Sequence, residues 1–438
     1  PFGAAAPPTP TGYWITTLNG VLATPINIFG TGIGVDSSGN SYSAGYYGTP
    51  TEHYSILSKY DLNGAIQWQK AATTPSTFQS QAKGLNGIVD SSGNVYVVGT
   101  CQGQGASGIF DAFIIKYNSS GAIQWQRELE DPSFFAPYDQ KYINASFDPS
   151  GNIHCIGSTA TPSDNAWWDI LYAKYNSSGT IQAQGILGDT SYSSSNEGYA
   201  ICSDPSGNYF IGGYTEKNSA ATADDGLIAK FDSSNALIWQ KGFYSPGYRA
   251  ACYIYGVVSD SLGNIYAAGY VQLGDTYVGI VMKLDTNGAI VWQRYFGIED
   301  GVGFYAIAID SSNYLYVTGY GSTFGYIVKY NSSGAIQWQR KMSTTGSDVF
   351  TSIFVDSSGN YYVTGTDNTN DVTFKLPTDG SRTGTYGGYT YAASNLTDSS
   401  GDLTSYSSAL SYGAAAFSAL TGNLTPSTPT FTTTVTIV

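Results

Sequence analysis

The sequence predicts an all-β fold: a seven-bladed β-propeller of four-stranded antiparallel blades, followed by a short β-prone C-terminal tail. Three observations carry this expectation. An acidic turn signature opens at Asp36, Asp90, Asp148, Asp204, Asp260, Asp310 and Asp356, at intervals of 54, 58, 56, 56, 50 and 46 residues by subtraction. Between these anchors a Lys on an apolar stretch precedes a second polar turn, at Lys59, Lys116, Lys174, Lys230, Lys283, Lys329 and Lys375. The composition is that of strands and tight turns, with 53 Gly and 37 Tyr among 438 residues and only 11% charged. Gly serves turns, and Tyr suits half-buried strands. A period of roughly 50 residues with several short strands per unit marks a propeller or an array.

Residues 84–129 serve as the model unit. The apolar run 87–90 suits a buried inner strand, and Ser91-Ser92-Gly93-Asn94 is a hairpin turn that Asp90 can cap. Residues 95–99 form the second strand and 112–117 the third. Asn118-Ser119-Ser120-Gly121 turns the chain again, and 122–126 alternates as the outer strand. The turn Asp and Asn residues resemble a calcium loop, but each turn offers one carboxylate where such a loop needs several oxygen ligands. A capped hairpin is therefore expected. Seven copies of one Lys cannot each be an active site, so these side chains are read as packing devices with their ammonium groups near water. Trp68, Trp125, Trp239, Trp292 and Trp338 recur after the second turn and are expected to pack between neighbouring blades with the indole N–H bonded. Ala183 stands in that place in the third unit.

The half G-I-x-V-D-S-S-G-N-x-Y-V-x-G is similar to the NHL repeat and to SBBP-type propeller repeats of bacterial and phage proteins. The half K-Y-D-L-N-G-A-I-Q-W-Q, Lys59 to Gln69, resembles the tryptophan-docking motif of quinoprotein propellers, with one residue fewer before Gly. The likeness covers roughly residues 30–380 and departs at Pro377. It implies the fold, and it implies kinship with phage virion proteins (tail-fibre or capsid-decorating) and bacterial surface proteins. It implies no chemistry, since such scaffolds serve unrelated functions.

Chain order puts the two short, uniform turns of each unit on one face of the disc and the variable connections on the other. Those connections include 46–53, 100–111, 158–169, 214–225, 128–142, 188–199 and 242–255, and they are rich in aromatics. Tyr46, Tyr47, Phe134, Phe135, Tyr138, Trp167, Trp168, Tyr244 and Tyr248 are the candidate ligand-binding residues, because large amphipathic rings on a rigid scaffold suit contact with sugars or another protein. Trp167 and Trp168 lead, since adjacent strand residues point to opposite sides and both can scarcely be buried.

The expected organisation is an N-terminal linker over 1–12, the propeller over 13–382, and a Ser/Thr/Tyr-rich anchoring or assembly segment over 383–438. The outer strand of the seventh blade comes either from 384–392 or from 13–18, and closure of the ring by 13–18 is preferred because it removes a free sheet edge. The β-prone end of the tail is expected to dock on the propeller or to add to the sheet of another subunit or virion protein. The start at Pro1, without Met, is read as processed or truncated.

A formal charge of −14 argues against nucleic acid, which needs clustered Lys and Arg. No apolar run is long enough for a membrane-spanning helix. Cys101, Cys155, Cys202 and Cys252 sit at different offsets from the nearest Asp anchor, so free thiols are expected, favouring folding in a reducing compartment. The two His, His53 and His154, lack further ligands at metal spacing, and no metal or cofactor is expected. No catalytic constellation is evident. Glu299-Asp300 and Asp224-Asp225 are read as solvated loop acids rather than glycosidase carboxylates. The expected role is a non-enzymatic structural or binding protein of a virion, meeting a protein partner or host glycan. The alternative is a bacterial surface or secreted adhesin or lectin.

Overall fold

The computed structural model describes residues 12–18, 30–49, 52–73, 82–102, 110–129, 139–160, 167–188, 194–216, 224–246, 251–343, 348–367, 370–386 and 388–405, together with the backbone alone of residues 19, 27–29, 130, 406–407, 411–414, 418–421, 425–427 and 432–437. It is a ring of seven antiparallel sheets. Blade one is built from Asn27–Val35, Ser41–Gly48, His53–Tyr60 and Ile66–Thr73. Blades two to six follow in chain order over 82–130, 140–188, 196–244, 252–296 and 303–343. Blade seven takes Val349–Val355, Asn360–Thr366 and Asp371–Pro377 from one end of the chain and Trp14–Asn19 from the other. The N-terminal segment, and not 384–392, is thus its outer strand, and the ring closes by pairing the two ends of the propeller. Among the described residues no helix is long and apolar enough to cross a membrane.

Every seam between blades is latched on the face that carries the two short turns. Asp36 shows the first device: Oδ1 accepts the N–H groups of Ser38 and Asn40, and Oδ2 accepts the Asn40 amide and the Tyr42 hydroxyl, all at 2.9 Å. The carboxylate therefore closes its own turn, an Asx cap rather than a cation ligand. The second device is the Trp. Trp68, Trp125, Trp239, Trp292 and Trp338 each donate the indole N–H to a carbonyl of the next blade's second turn, at 3.0–3.2 Å. Trp14 does the same to Leu62, completing the set across the closure. The ring lies on a turn Gly, where a Cβ would stand 2.5–3.2 Å from the indole in all six cases. The repeat Lys reaches the same turn, as in Lys59 to Ser119 and Lys116 to Ser177, both 3.2 Å.

One seam departs, and its departures compensate. Blade three has Ala183 where the Trp belongs, and the facing turn of blade four has Asn235 at φ 70° where the others have Gly. With no indole to cover it, that position tolerates a side chain. Tyr172 fills the gap instead, stacking on Tyr209 at 4.8 Å and donating its hydroxyl to Asn235 at 3.1 Å.

The C-terminal segment adds a fifth strand to every blade. It runs around the rim against chain order: Tyr389–Ala393 on blade six, Asp398–Ser400 on five, Thr404–Ser407 on four, Ser411–Ala414 on three, Ser418–Thr421 on two, Thr425–Ser427 on one, and Thr432–Ile437 on blade seven's Trp14–Asn19. Each is antiparallel to the outer strand it covers, so the belt satisfies the edges of the four-stranded blades. Its grip is visible at two places. The Gln339 side chain donates to Leu396 O (3.1 Å) and accepts from Leu396 N (2.9 Å), and Gln293 does the same with Leu403 (3.1 Å each). A carboxamide here imitates one rung of a strand ladder. Leu403 is 4% exposed and packs in the core cluster of Phe243 and Tyr295.

The four cysteines are free, three buried and Cys202 half-buried in the channel wall.

A tyrosine-lined mouth as the candidate functional site

The inner strand of every blade carries a β-bulge near the face of the variable loops, where the register with the second strand slips by one residue. A bulge re-aims the extra side chain. The seven extra residues are Thr31, Leu85, Ile143, Tyr199, Tyr255, Tyr305 and Thr351, and all of them line a central cavity of about 490 Å³. Below them the wall is apolar, with Ile33, Ile88, Ile201, Val257, Ile307 and Ile353.

The ring is lopsided. Thr31 spends its hydroxyl on Gly84 O and Ala44 O, and Thr351 on Gly30 O, so both tie blades together. Blades four, five and six instead present tyrosine, and other tyrosines join them from the ends of neighbouring strands. Tyr199 stacks on Tyr255 at 4.6 Å; Tyr255 meets Tyr305 edge-on at 5.1 Å; Tyr305 stacks on Tyr320 at 5.1 Å. Tyr214, Tyr253, Tyr270 and Tyr277 complete a continuous set through contacts of 5.1–5.8 Å. Each such pair adds about 0.5–1.5 kcal/mol beyond burial, which makes the patch rigid. Tyr214 is 8% exposed, Tyr277 is 40% exposed, and the rest are half-buried. Burial holds the hydroxyls of Tyr199 and Tyr255 well above the ordinary phenol range, so they stay protonated and remain able to donate. Two carboxylates edge the patch. Glu197 receives Lys141 at 2.7 Å, Ser158 at 3.2 Å and Tyr214 at 3.3 Å, and Asp224 receives the Tyr253 hydroxyl. Flat rings with fixed hydroxyls and carboxylates at the margin can stack on the C–H face of a sugar and bond its hydroxyls.

The described residues among those proposed from sequence are dispersed over this face and the rim. Tyr46 and Tyr47 end the second strand of blade one, Tyr46 against His53 (5.8 Å) and Tyr47 stacked on Tyr54 (5.0 Å). Trp167 and Trp168 are both half-buried at the start of the third strand of blade three, and the Lys141 ammonium lies 4.7 Å over the Trp168 ring. Tyr244 ends the outer strand of blade four at the rim, where its backbone pairs with Thr404 of the belt. Phe134, Phe135, Tyr138 and Tyr248 lie outside the described residues. Of these candidates, Trp168 comes nearest the mouth through shared contacts, since Lys141 bridges it to Glu197. The tyrosines of the mouth went unnoticed in the sequence, although a signal was present. The residue five before each Asp anchor is the bulge residue, and aligning the repeats on Asp exposes the run Tyr199, Tyr255, Tyr305.

No family model and no curated protein matches the chain. Among solved structures, Sqt1 from Chaetomium thermophilum is similar at 9% identity and a TM-score of 0.49, over 82% of this chain and 97% of that one. The polysaccharide lyase Uly1 is similar at 12% identity and 0.48, over 80% and 90%. The α-L-arabinanase of Penicillium chrysogenum is similar at 10% identity and 0.43, over 85% and 99%. At such identities the likeness concerns the fold alone. It nevertheless corrects one expectation. Propellers similar to this chain include a polysaccharide lyase and an arabinanase, so the expectation of a non-enzymatic protein, drawn from the lack of an evident catalytic constellation, does not stand. The chain is a seven-bladed β-propeller.

Proposed function

We propose that this chain is a carbohydrate-binding propeller whose ligand sits on the loop face, at the tyrosine-lined mouth of the central channel. One observation carries the reading: eight tyrosines from three adjacent blades form one continuous patch, and three of them, Tyr199, Tyr255 and Tyr305, stand at the bulge position where the other blades place Thr31, Leu85, Ile143 and Thr351. The fold does not require them. An aromatic floor with protonated hydroxyls and flanking carboxylates suits a sugar, which offers an apolar ring face and a rim of hydroxyl groups.

The setting we propose is a virion surface, with a bacterial cell surface as the alternative. Supporting it are a chain with 11% charged residues and seven blade edges strapped by its own C-terminal segment, features suited to a protein that must resist unravelling outside the cell. A panel of oligosaccharides screened by calorimetry tests the binding role. The expected result is a ligand whose affinity drops about tenfold or more in Tyr255→Ala and Tyr305→Ala, each a lost stacking platform, while both variants keep their melting temperature within a few degrees. Affinity unchanged in both variants would remove the mouth as the site.

A further inference from the structure

Lys83 and Lys141 occupy the same place in successive blades. Each stands just before the bulge of its inner strand, paired with Thr100 and Ser158 respectively. Their surroundings differ. Lys141 has an internal anion, Glu197 of the next blade, at 2.7 Å. The residue at Glu197's position in the blade after Lys83 is Lys141 itself, a like charge. Lys83 turns over the ring of Tyr46, 5.4 Å from its centroid, and among the described residues it meets no carboxylate. Burial alone accounts for the lowered pKa of its ammonium group, with no anion opposing it. A cation over one half-buried ring recovers about 1 kcal/mol, less than a half-buried charge needs.

Beside it the chain leaves a second unanswered group. His53 lies 5.8 Å from the Tyr46 ring, and its Nδ1 is buried without a hydrogen-bond partner among the described residues. Burial first, and the Lys83 charge second, hold this imidazole below its usual pKa, so it is neutral at pH 7. Among the described residues, a cation without a carboxylate and a ring nitrogen without a hydrogen-bond partner thus share one aromatic wall in the seam between blades one and two.

We propose that this seam is a subsite for the carboxylate of an acidic saccharide, with Lys83 Nζ as its counter-charge, His53 as its hydrogen-bonding neighbour and Tyr46 as the apolar wall. The inference rests on the carbohydrate reading of the loop face and adds the charge of the sugar. The ligand supplies here what Glu197 supplies to Lys141.

The test uses the full chain, a uronic-acid oligosaccharide and its carboxyl-reduced neutral counterpart, with affinities from calorimetry. The wild-type protein is expected to favour the acidic form by about tenfold, the worth of one charge-assisted contact. Lys83→Gln should abolish that preference by weakening binding of the acidic form. Lys59→Gln, which removes a like charge from the turn face, should preserve it. Circular dichroism melts confirm that both variants are folded. Equal affinity of the wild type for the two forms, or a preference that survives in Lys83→Gln, would overturn the subsite alone. Binding of neither oligosaccharide would overturn the carbohydrate reading and the subsite with it.

Discussion

The turn face and rim of this propeller differ from its loop-face mouth in how often each solution is used. On the turn face and rim, nearly every feature recurs: Asp caps, Lys reaching the next turn, Trp laid on Gly, and a belt strand along each outer edge. At the bulge that lines the mouth, three neighbouring blades carry a tyrosine that the other four lack. A side chain repeated in every unit answers a demand of the ring, because each seam poses the same packing problem. One confined to part of the ring answers something the ring does not ask. The seam at Ala183 sharpens the point, since losing a repeated residue there is matched by changes at Asn235 and Tyr172 directly opposite. No such compensation is needed at the mouth, where the bulge geometry is identical whether it presents Leu85 or Tyr255.

Four experiments can break or sharpen this division. The largest effect is expected from deleting residues 383–438, which strips the fifth strand from all seven blades. Thermal unfolding should begin about 10 °C lower or more and end in aggregation through the exposed edges, while the folded fraction keeps its ligand affinity. Loss of binding with unchanged melting would invert the assignment of the two regions. Next, Trp292→Ala removes a ring resting on Gly334 and the bond to Ser332 O, and should cost about 2–4 kcal/mol in denaturant unfolding. A cost below about 0.5 kcal/mol would mean the latch is ornamental.

The closure seam supplies a pH test. Burial raises the Asp371 carboxyl to about 7, although hydrogen bonds from Thr364 and Ser43 favour its charged form. The folded protein therefore holds this proton more tightly than the unfolded chain, whose Asp titrates near about 4. Stability should fall as pH rises from about 4 to about 7 and then level off. Melting temperatures across that window should show the slope in the wild type and a flatter profile in Asp371→Asn. An identical profile in both would remove Asp371 as the cause. The smallest effect is expected from Gln293→Ala with Gln339→Ala, about 1–2 kcal/mol together for two pairs of belt hydrogen bonds. Hydrogen exchange should speed up at Leu396 and Leu403, and unchanged exchange there would mean the glutamines do not hold the belt.

The ring itself was legible because its unit is long, repeated and punctuated: Asp anchors, Gly turns and Trp place four strands per unit, and the Tyr and Trp of 13–18 supplied the closing strand. Docking of the tail's end on the propeller was expected, and Thr432–Ile437 pairs with Trp14–Asn19, but a strand on every blade was not expected, because its unit is short and chemically plain. Tyr389, Leu396, Leu403, Leu410, Phe417, Leu424 and Phe431 follow one another at intervals of seven residues through a Ser/Thr-rich background. Read alone, that pattern suits no strand, which has period two, and only a ring with seven edges gives it meaning. The repeated Gln after each Trp was visible but mute. It persists at Gln184 although Trp is replaced by Ala183 before it, which fits a duty toward the belt rather than the seam. The mouth was missed for another reason. Its tyrosines lie inside strands and not in the variable loops, and strand tyrosines look like core until a bulge turns them toward the channel.

The most direct measurement is a structure of the protein with its tightest-binding oligosaccharide. The account predicts a sugar ring within van der Waals contact of Tyr255 and Tyr305 on the loop face. A ligand bound on the turn face or along the belt, with the tyrosine mouth vacant, would contradict it.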